Sequence, residues 1–382
     1  SVDQFKALDE GILGQNDPDQ GRLTSVTLTN DGEQPQTLEG TAGLNSIAEL
    51  RLGEGLALKL SNESELEAFN AVSTADGGSL ELSLEVASAL AEQQSDDYAS
   101  LDRTLIGTTE EYTGLQNPGA VLAGAARLEL TDEVSIEQLQ TIVSAFNGEL
   151  SAIDYRLSDS LENLTDPANS ALVDGVNEEG YRVTDEPAEL GSLNANQALV
   201  LLEAANFSET AFGEVVVADT AAALQDVFQA SEAIAFPAGY RITDTVTSGE
   251  SVADLQASAG GSAMTFDEVE LGADQVANLP ALSEGQQITS LTINGSGENA
   301  GVDLDLSGLS NVGEVTYING AGSDTLTLPS DEAIAFRLAE TDESGGTTTL
   351  ILADRSLTAD DNLAATAGTV KHGHVQAFFA RA

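Results

Sequence analysis

The chain has 382 residues, of which 64 are acidic and 13 basic, for a net charge of −51. Such a charge repels phosphate-rich partners, so nucleic acid and anionic membrane surfaces are excluded. No apolar run reaches the roughly 18 residues needed to span a bilayer, and the absence of cysteine removes disulfides, thiolate chemistry and cysteine zinc sites together. With 41% hydrophobic residues in clear periods, the chain is expected to fold rather than stay disordered. Lysine occurs only at Lys6, Lys59 and Lys371, and Ser1 is followed by no basic or apolar leader, so any signal peptide is expected to be removed or absent.

The first motif is "NDPDQGRL" (16–23), which sets Asp17 and Asp19 two apart ahead of Gly21. It resembles the D-x-D-G-D-x-L calcium loop of cadherin-like modules in bacterial adhesins, although Gln20, Gly21 and Arg22 stand where that loop has Gly-Asp. The resemblance makes Asp17 and Asp19 candidate calcium ligands, since hard cations prefer carboxylate oxygens. Residues 25–69 then read as short strands separated by turns rich in Gly and Asn, and 90–120 as a loop-rich boundary.

In the centre, "YRLSD" (155–159), "YRVTD" (181–185) and "YRITD" (240–244) repeat almost letter for letter, with weaker copies "RLELTD" (127–132) and "EVVVAD" (214–219). Their last residues, Asp132, Asp159, Asp185, Asp219 and Asp244, are 27, 26, 34 and 25 apart. Each copy alternates as a half-buried strand, and the pattern then switches to a helical period, as in 194–206 and 220–230. The aspartate at the switch is expected to be the N-cap of its own helix, with a calcium ligand as the other reading. A strand and short helix in about 26 residues matches the repeat lengths of solenoids, so the preceding strands are expected to be parallel neighbours, with Tyr155, Tyr181 and Tyr240 stacked on one face.

Towards the end, 290–336 repeats the order of turns and apolar positions of 25–69, with strands near Leu291, Leu304, Val315 and Leu326 at spacings of 13, 11 and 11. The two segments are expected to form one kind of supersecondary unit. "GAGSDTLTL" (320–328) fits one copy of the nonapeptide G-x-G-x-D-x-L-x-L, in which Asp324 is either a calcium ligand or part of a glycine turn before a strand. "AFRLAE" and "TTTLILAD" around "TDESGG" read as a hairpin. His372 and His374 could hold zinc or copper given a third ligand, and otherwise lie on a terminal strand.

No G-x-S-x-G elbow occurs, tryptophan is absent, and cations to neutralise uronates are few, so the residues favour a protein that is not an enzyme. The strand-and-helix copies together with "LDLSGLSNVGEVTYINGAGSDTLTL" (304–328) resemble repeats of surface-layer and RTX-adhesin-like proteins, the large bacterial surface proteins exported by type I secretion. The resemblance implies export without disulfides, calcium-assisted folding outside the cell and a structural or adhesive role. The expected fold is a mixed α/β repeat protein with a parallel β/α solenoid-like centre (126–284) between β-rich regions (1–125 and 285–382). The alternative is a compact α/β domain plus β-sandwich-like domains. The expected function is that of a secreted, acidic, self-assembling structural protein at the cell surface: a subunit of a surface layer or extracellular filament, or a segment of an adhesin. Its partner would be a second copy of itself. The alternative is a module that binds a cell-surface glycan or protein.

Overall fold

The computed structural model describes residues 26–28, 36–39, 50–62, 72–92, 103–208, 211–212, 214–230, 236, 238–295, 301–319, 323–340, 347–352 and 376–379. The chain divides into two compact units, Ser1–Thr184 and Asp185–Ala382, where composition had suggested three regions. The fold is mixed α/β. Every pairing between its strands is parallel, and no sheet closes into a barrel among the described residues.

The first unit opens with short strands β1 (Val26–Leu28), β2 (Gln36–Glu39), β3 (Leu50–Gly53), β4 (Leu56–Leu60), β5 (Val72–Asp76) and β6 (Ser79–Ser83). They alternate between two sheets, β1-β3-β5 in one and β2-β4-β6 in the other. From β6 onward helices replace the second set of strands. The helix Leu84–Glu92 leads to β7 (Arg103–Gly107), Thr109–Thr113 to β8 (Arg127–Val134), Ile136–Ala145 to β9 (Ile153–Asp159) and Leu161–Thr165 to β10 (Tyr181–Val183), all on the same sheet. Side chains of period two build the core. Leu60, Leu82, Leu105, Leu128 and Ile153 are register partners in succession, none more than 4% exposed. Each such aliphatic side chain contributes roughly 1.5–3 kcal/mol by leaving water.

The second unit runs the other way, helices first. Strands β11 (Ser192–Leu193), β12 (Val216–Asp219), β13 (Tyr240–Val246) and β14 (Met264–Gly272) alternate with the helices Ala195–Glu203, Ala221–Ala230 and Gly249–Ser258. After β14 the chain alternates between sheets again. β15 (Gln286–Asn294), β17 (Val312–Asn319) and β19 (Ala335–Glu340) extend the first sheet, while β16 (Asp303–Asp305), β18 (Ser323–Thr327), β20 (Thr347–Leu352) and β21 (Gln376–Phe379) form the second. Val246, Val269, Leu291, Val315 and Phe336 make the aliphatic and aromatic column of this core. At Gly239, φ is +99° and a Cβ would sit 2.3 Å from the Ala263 carbonyl oxygen, so only glycine lets β13 start this close to its neighbour.

The segments 25–69 and 290–336 share their plan, since in each the described strands alternate between two parallel sheets. Leu291, Leu304, Val315 and Leu326 all fall in strands and are buried. Strand pairing passes through the expected boundary at 90–120, because β7 bonds to β6 on one side and β8 on the other. Two expectations need correction. The hairpin at 335–352 does not form: β19 pairs with β17 and β20 with β18, in different sheets. The tyrosines do not stack either. Tyr181 faces Leu157, and Tyr240 lies between Val217 and Met264 in the other unit. Strand register advances by 24 residues there while the letters recur after 26, and a slip of two leaves the inward face inward.

Candidate functional site

The repeated aspartates form the most regular polar arrangement in the described residues, and they act across repeats. Several helices are capped by the residue that their own segment places before them. Thr108, Ser135 and Asn194 each accept from the N–H three residues on, and Glu111, Gln138 and Gln197 reciprocate in capping boxes. Ser160 accepts from the Asn163 N–H, and Ser248 from those of Glu250 and Ser251. The N-cap therefore satisfies an inner N–H and leaves the first one unpaired.

That first N–H donates to an aspartate of the following strand. Thr109 donates to Asp132 at 2.7 Å, Ile136 to Asp159 at 2.8 Å, Ala195 to Asp219 at 2.9 Å and Ala221 to Asp244 at 2.7 Å. Asp159 uses its other oxygen for the Ser160 N–H and the Asn163 amide, and Asp219 does the same with the Thr220 N–H. Single carboxylates thus tie the starts of two successive helices together, at the positive end of each helix dipole. The expectation that each aspartate caps its own helix is corrected by this geometry. The cause is the register: motif copies recur slightly later than the strands pair, so each aspartate lies opposite the helix start of the previous repeat. After Asp185 a 3-10 turn, Pro187–Glu189, stands in place of an α-helix.

Asp324 is buried to 1% exposure, with Oδ1 accepting from the Val302 N–H at 2.9 Å and Oδ2 from the Tyr317 hydroxyl at 2.8 Å. Its carboxylate joins three strand segments from within. Asp17, Asp19, His372 and His374 lie outside the described residues. Among the described residues, no group of three or more His, Asp and Glu side chains stands close enough to hold a metal ion.

Scarce cations are placed on neighbouring strands in the same manner. Arg127 pairs with Asp154 at 2.5 Å, Arg156 with Glu179 at 2.5 Å, Arg241 with Asp267 at 2.8 Å and Arg337 with Glu314 at 2.7 Å. These pairs are partly exposed, so solvent screening keeps the contribution of each small. Arg103 is an exception: fully buried at the start of β7, its guanidinium donates to the Ala123 carbonyl.

Three tyrosine hydroxyls are also turned inward. Tyr155 donates to the Leu172 carbonyl at 2.6 Å, and desolvation followed by the charge of Asp174 pushes its pKa up to about 12. Burial raises Tyr112 and Tyr317 further, Tyr317 also through its bond to Asp324. A raised folded-state pKa means that the stabilisation is complete below the ordinary tyrosine value of 10.0 and is lost as pH climbs through the raised values. Alkaline titration should therefore show tyrosine ionisation, read at its ultraviolet band, coinciding with unfolding. Ionisation of all six tyrosines well before any loss of circular dichroism would contradict this.

A cleft of about 720 Å³ is lined by Glu270, Asp274, Asp303, Asn294 and Thr247, with no basic or aromatic side chain on its wall among the described residues. Sequence reasoning missed the capping residues Thr108, Ser135 and Asn194, although each begins an S/T/N-x-x-E/Q stretch that signals a helix start. No protein-family model matches the chain, and neither does any curated protein or solved structure.

Proposed function

We propose that the strands of each unit wind as a parallel solenoid, and that the protein is a secreted, acidic structural protein of the cell surface. In this reading it self-assembles as a subunit of a surface layer or filament, or serves as a segment of an adhesin. The observation that supports it most is the consecutive parallel pairing, in which end strands such as β11 and β21 carry one partner strand each among the described residues. A strand with one bonded side presents a row of N–H and C=O groups that can template another chain. Capping and ion pairing are also directed from one repeat to the next, which suits a scaffold that holds its shape.

Calcium enters this reading as a screening and bridging ion outside the buried Asp324 contact, with Asp17 and Asp19 as its candidate ligands. A net charge of −51 opposes both compaction and association, and bound divalent cations relieve that repulsion. The test is light scattering and thermal melting in millimolar calcium, against sodium chloride of the same ionic strength. Concentration-dependent growth in mass, with a higher melting temperature in calcium than in the matched salt, is expected. Equal responses to both salts would reduce calcium to general screening. A protein that stays monomeric under all conditions and binds immobilised glycans would replace the assembly reading with that of a binding module.

A further inference from the structure

The sequence contains three Asn-Gly pairs, 147–148, 294–295 and 319–320. The structure separates the first two by their surroundings. Asn294 ends β15, and the Gly295 N–H donates to the Ile318 carbonyl at 3.0 Å, so its nitrogen is held in the sheet. Asn147 and Gly148 lie in the link between the helix Ile136–Ala145 and the 3-10 turn Leu150–Ala152, and both are exposed. Among the described residues, neither the Asn147 side chain nor the Gly148 N–H has a hydrogen-bond partner. A Cβ at position 148 would meet the Phe146 ring at 2.3 Å, so any residue other than glycine there would have to displace that ring.

We infer that Asn147 is a site of spontaneous covalent modification, converted by water alone into aspartate and isoaspartate. The Gly148 backbone nitrogen attacks the Asn147 side-chain carbonyl carbon, forming a C–N bond as the bond to the amide nitrogen breaks. The proton of the Gly148 N–H leaves with that nitrogen as ammonia, and a five-membered succinimide remains. Water then adds to either ring carbonyl. Opening on one side gives aspartate, and opening on the other gives isoaspartate, in which the main chain runs through the side-chain carbon. No oxidant or enzyme is needed. The product adds a negative charge, and in the isoaspartate form a longer backbone, to the link that feeds β9 and Asp159.

At Asn294 the same reaction first requires the Gly295–Ile318 bond to open. Opening that bond, at the end of a strand held by further pairings, slows the reaction by roughly tenfold or more.

The test is peptide mass mapping of the folded protein after prolonged incubation at mildly alkaline pH, with an isoaspartate-specific methylation assay. A gain of about one mass unit is expected in the peptide carrying Asn147, at least about tenfold faster than in the peptide carrying Asn294. In denatured protein the two pairs should react at comparable rates. Asn147→Gln, which would need a six-membered ring, should abolish the signal while leaving the melting temperature unchanged. Equal rates at the two pairs in the folded protein would overturn the inference. So would an unreactive Asn147 in folded protein that reacts once denatured.

Discussion

Replacing Asp324 with alanine is expected to destabilise the second unit by roughly 3–5 kcal/mol. The substitution orphans two buried donors, the Val302 N–H and the Tyr317 hydroxyl, and each costs about 1–3 kcal/mol when left unpaired. It also opens a small void where packing is dense, since Tyr317, Leu326 and Phe336 nearby are fully buried. Tyr317→Phe should cost less, because it removes a donor and leaves the carboxylate its backbone partner. The double variant should be less damaging than the sum of the two, which would identify the bond itself as the source. Denaturant titration of the four proteins reads these differences. A loss below about 1 kcal/mol for Asp324→Ala would show that the carboxylate is not committed to the fold. If chelating calcium from the wild type reproduced the whole loss, Asp324 would be acting through an ion.

Asp159→Ala should cost the first unit about 2 kcal/mol, and Asp244→Ala should cost the second about 1 kcal/mol. The difference follows from the bonds lost. Asp159 accepts from the Ile136 N–H, the Ser160 N–H and the Asn163 amide, whereas Asp244 accepts from the Ala221 N–H. Helix capping by a charged group is worth about 0.5–2 kcal/mol, and these sites are only partly buried, so water recovers part of each loss. Glu137→Gln, an exposed change on the helix Ile136–Ala145, serves as the control and should stay within about 0.5 kcal/mol. Urea melts followed by helical circular dichroism would measure the three. If Asp159→Ala behaved like the control, the bridging between successive helices would contribute nothing to stability.

Much of the architecture was legible because local periods survive in single segments. The alternation in 155–159 and 240–244 gave strands, and the apolar spacing in 194–206 and 220–230 gave helices, because each pattern depends only on residues a few places apart. What the letters could not show was the offset between motif and register. Asp159 and Asp219 read as caps of the helices that follow them, and they do touch those segments, yet their second oxygen reaches back about one repeat. That reach depends on which residues pair across strands, a quantity set by core packing. The glycine-containing stretch "TDESGG" misled for the same reason. Two strand-like runs around a glycine turn make a hairpin only if nothing else claims their edges, and β17 and β18 already did. Asp324 was singled out by its glycine-rich motif, but its burial follows from Val302 and Tyr317, which the motif does not contain.

The even spacing of bonded strands also bears on how the chain reaches this structure. Gln36 pairs with Leu56 and Thr349 with Gln376, and among the described residues these are the shortest and longest sequence separations between paired strands, at 20 and 27 residues. The entropy of closing a loop grows only as the logarithm of its length, so the costs of the extremes differ by about 0.3 kcal/mol. Among the described residues no pairing waits on a distant partner, and no strand is penalised for its position in the chain. Ordering can therefore begin at whichever repeat first gathers a stable nucleus and spread to either neighbour, as in a one-dimensional lattice. A longer version of the same protein would fold through closures of unchanged length, its mean contact separation falling relative to chain length with every repeat added.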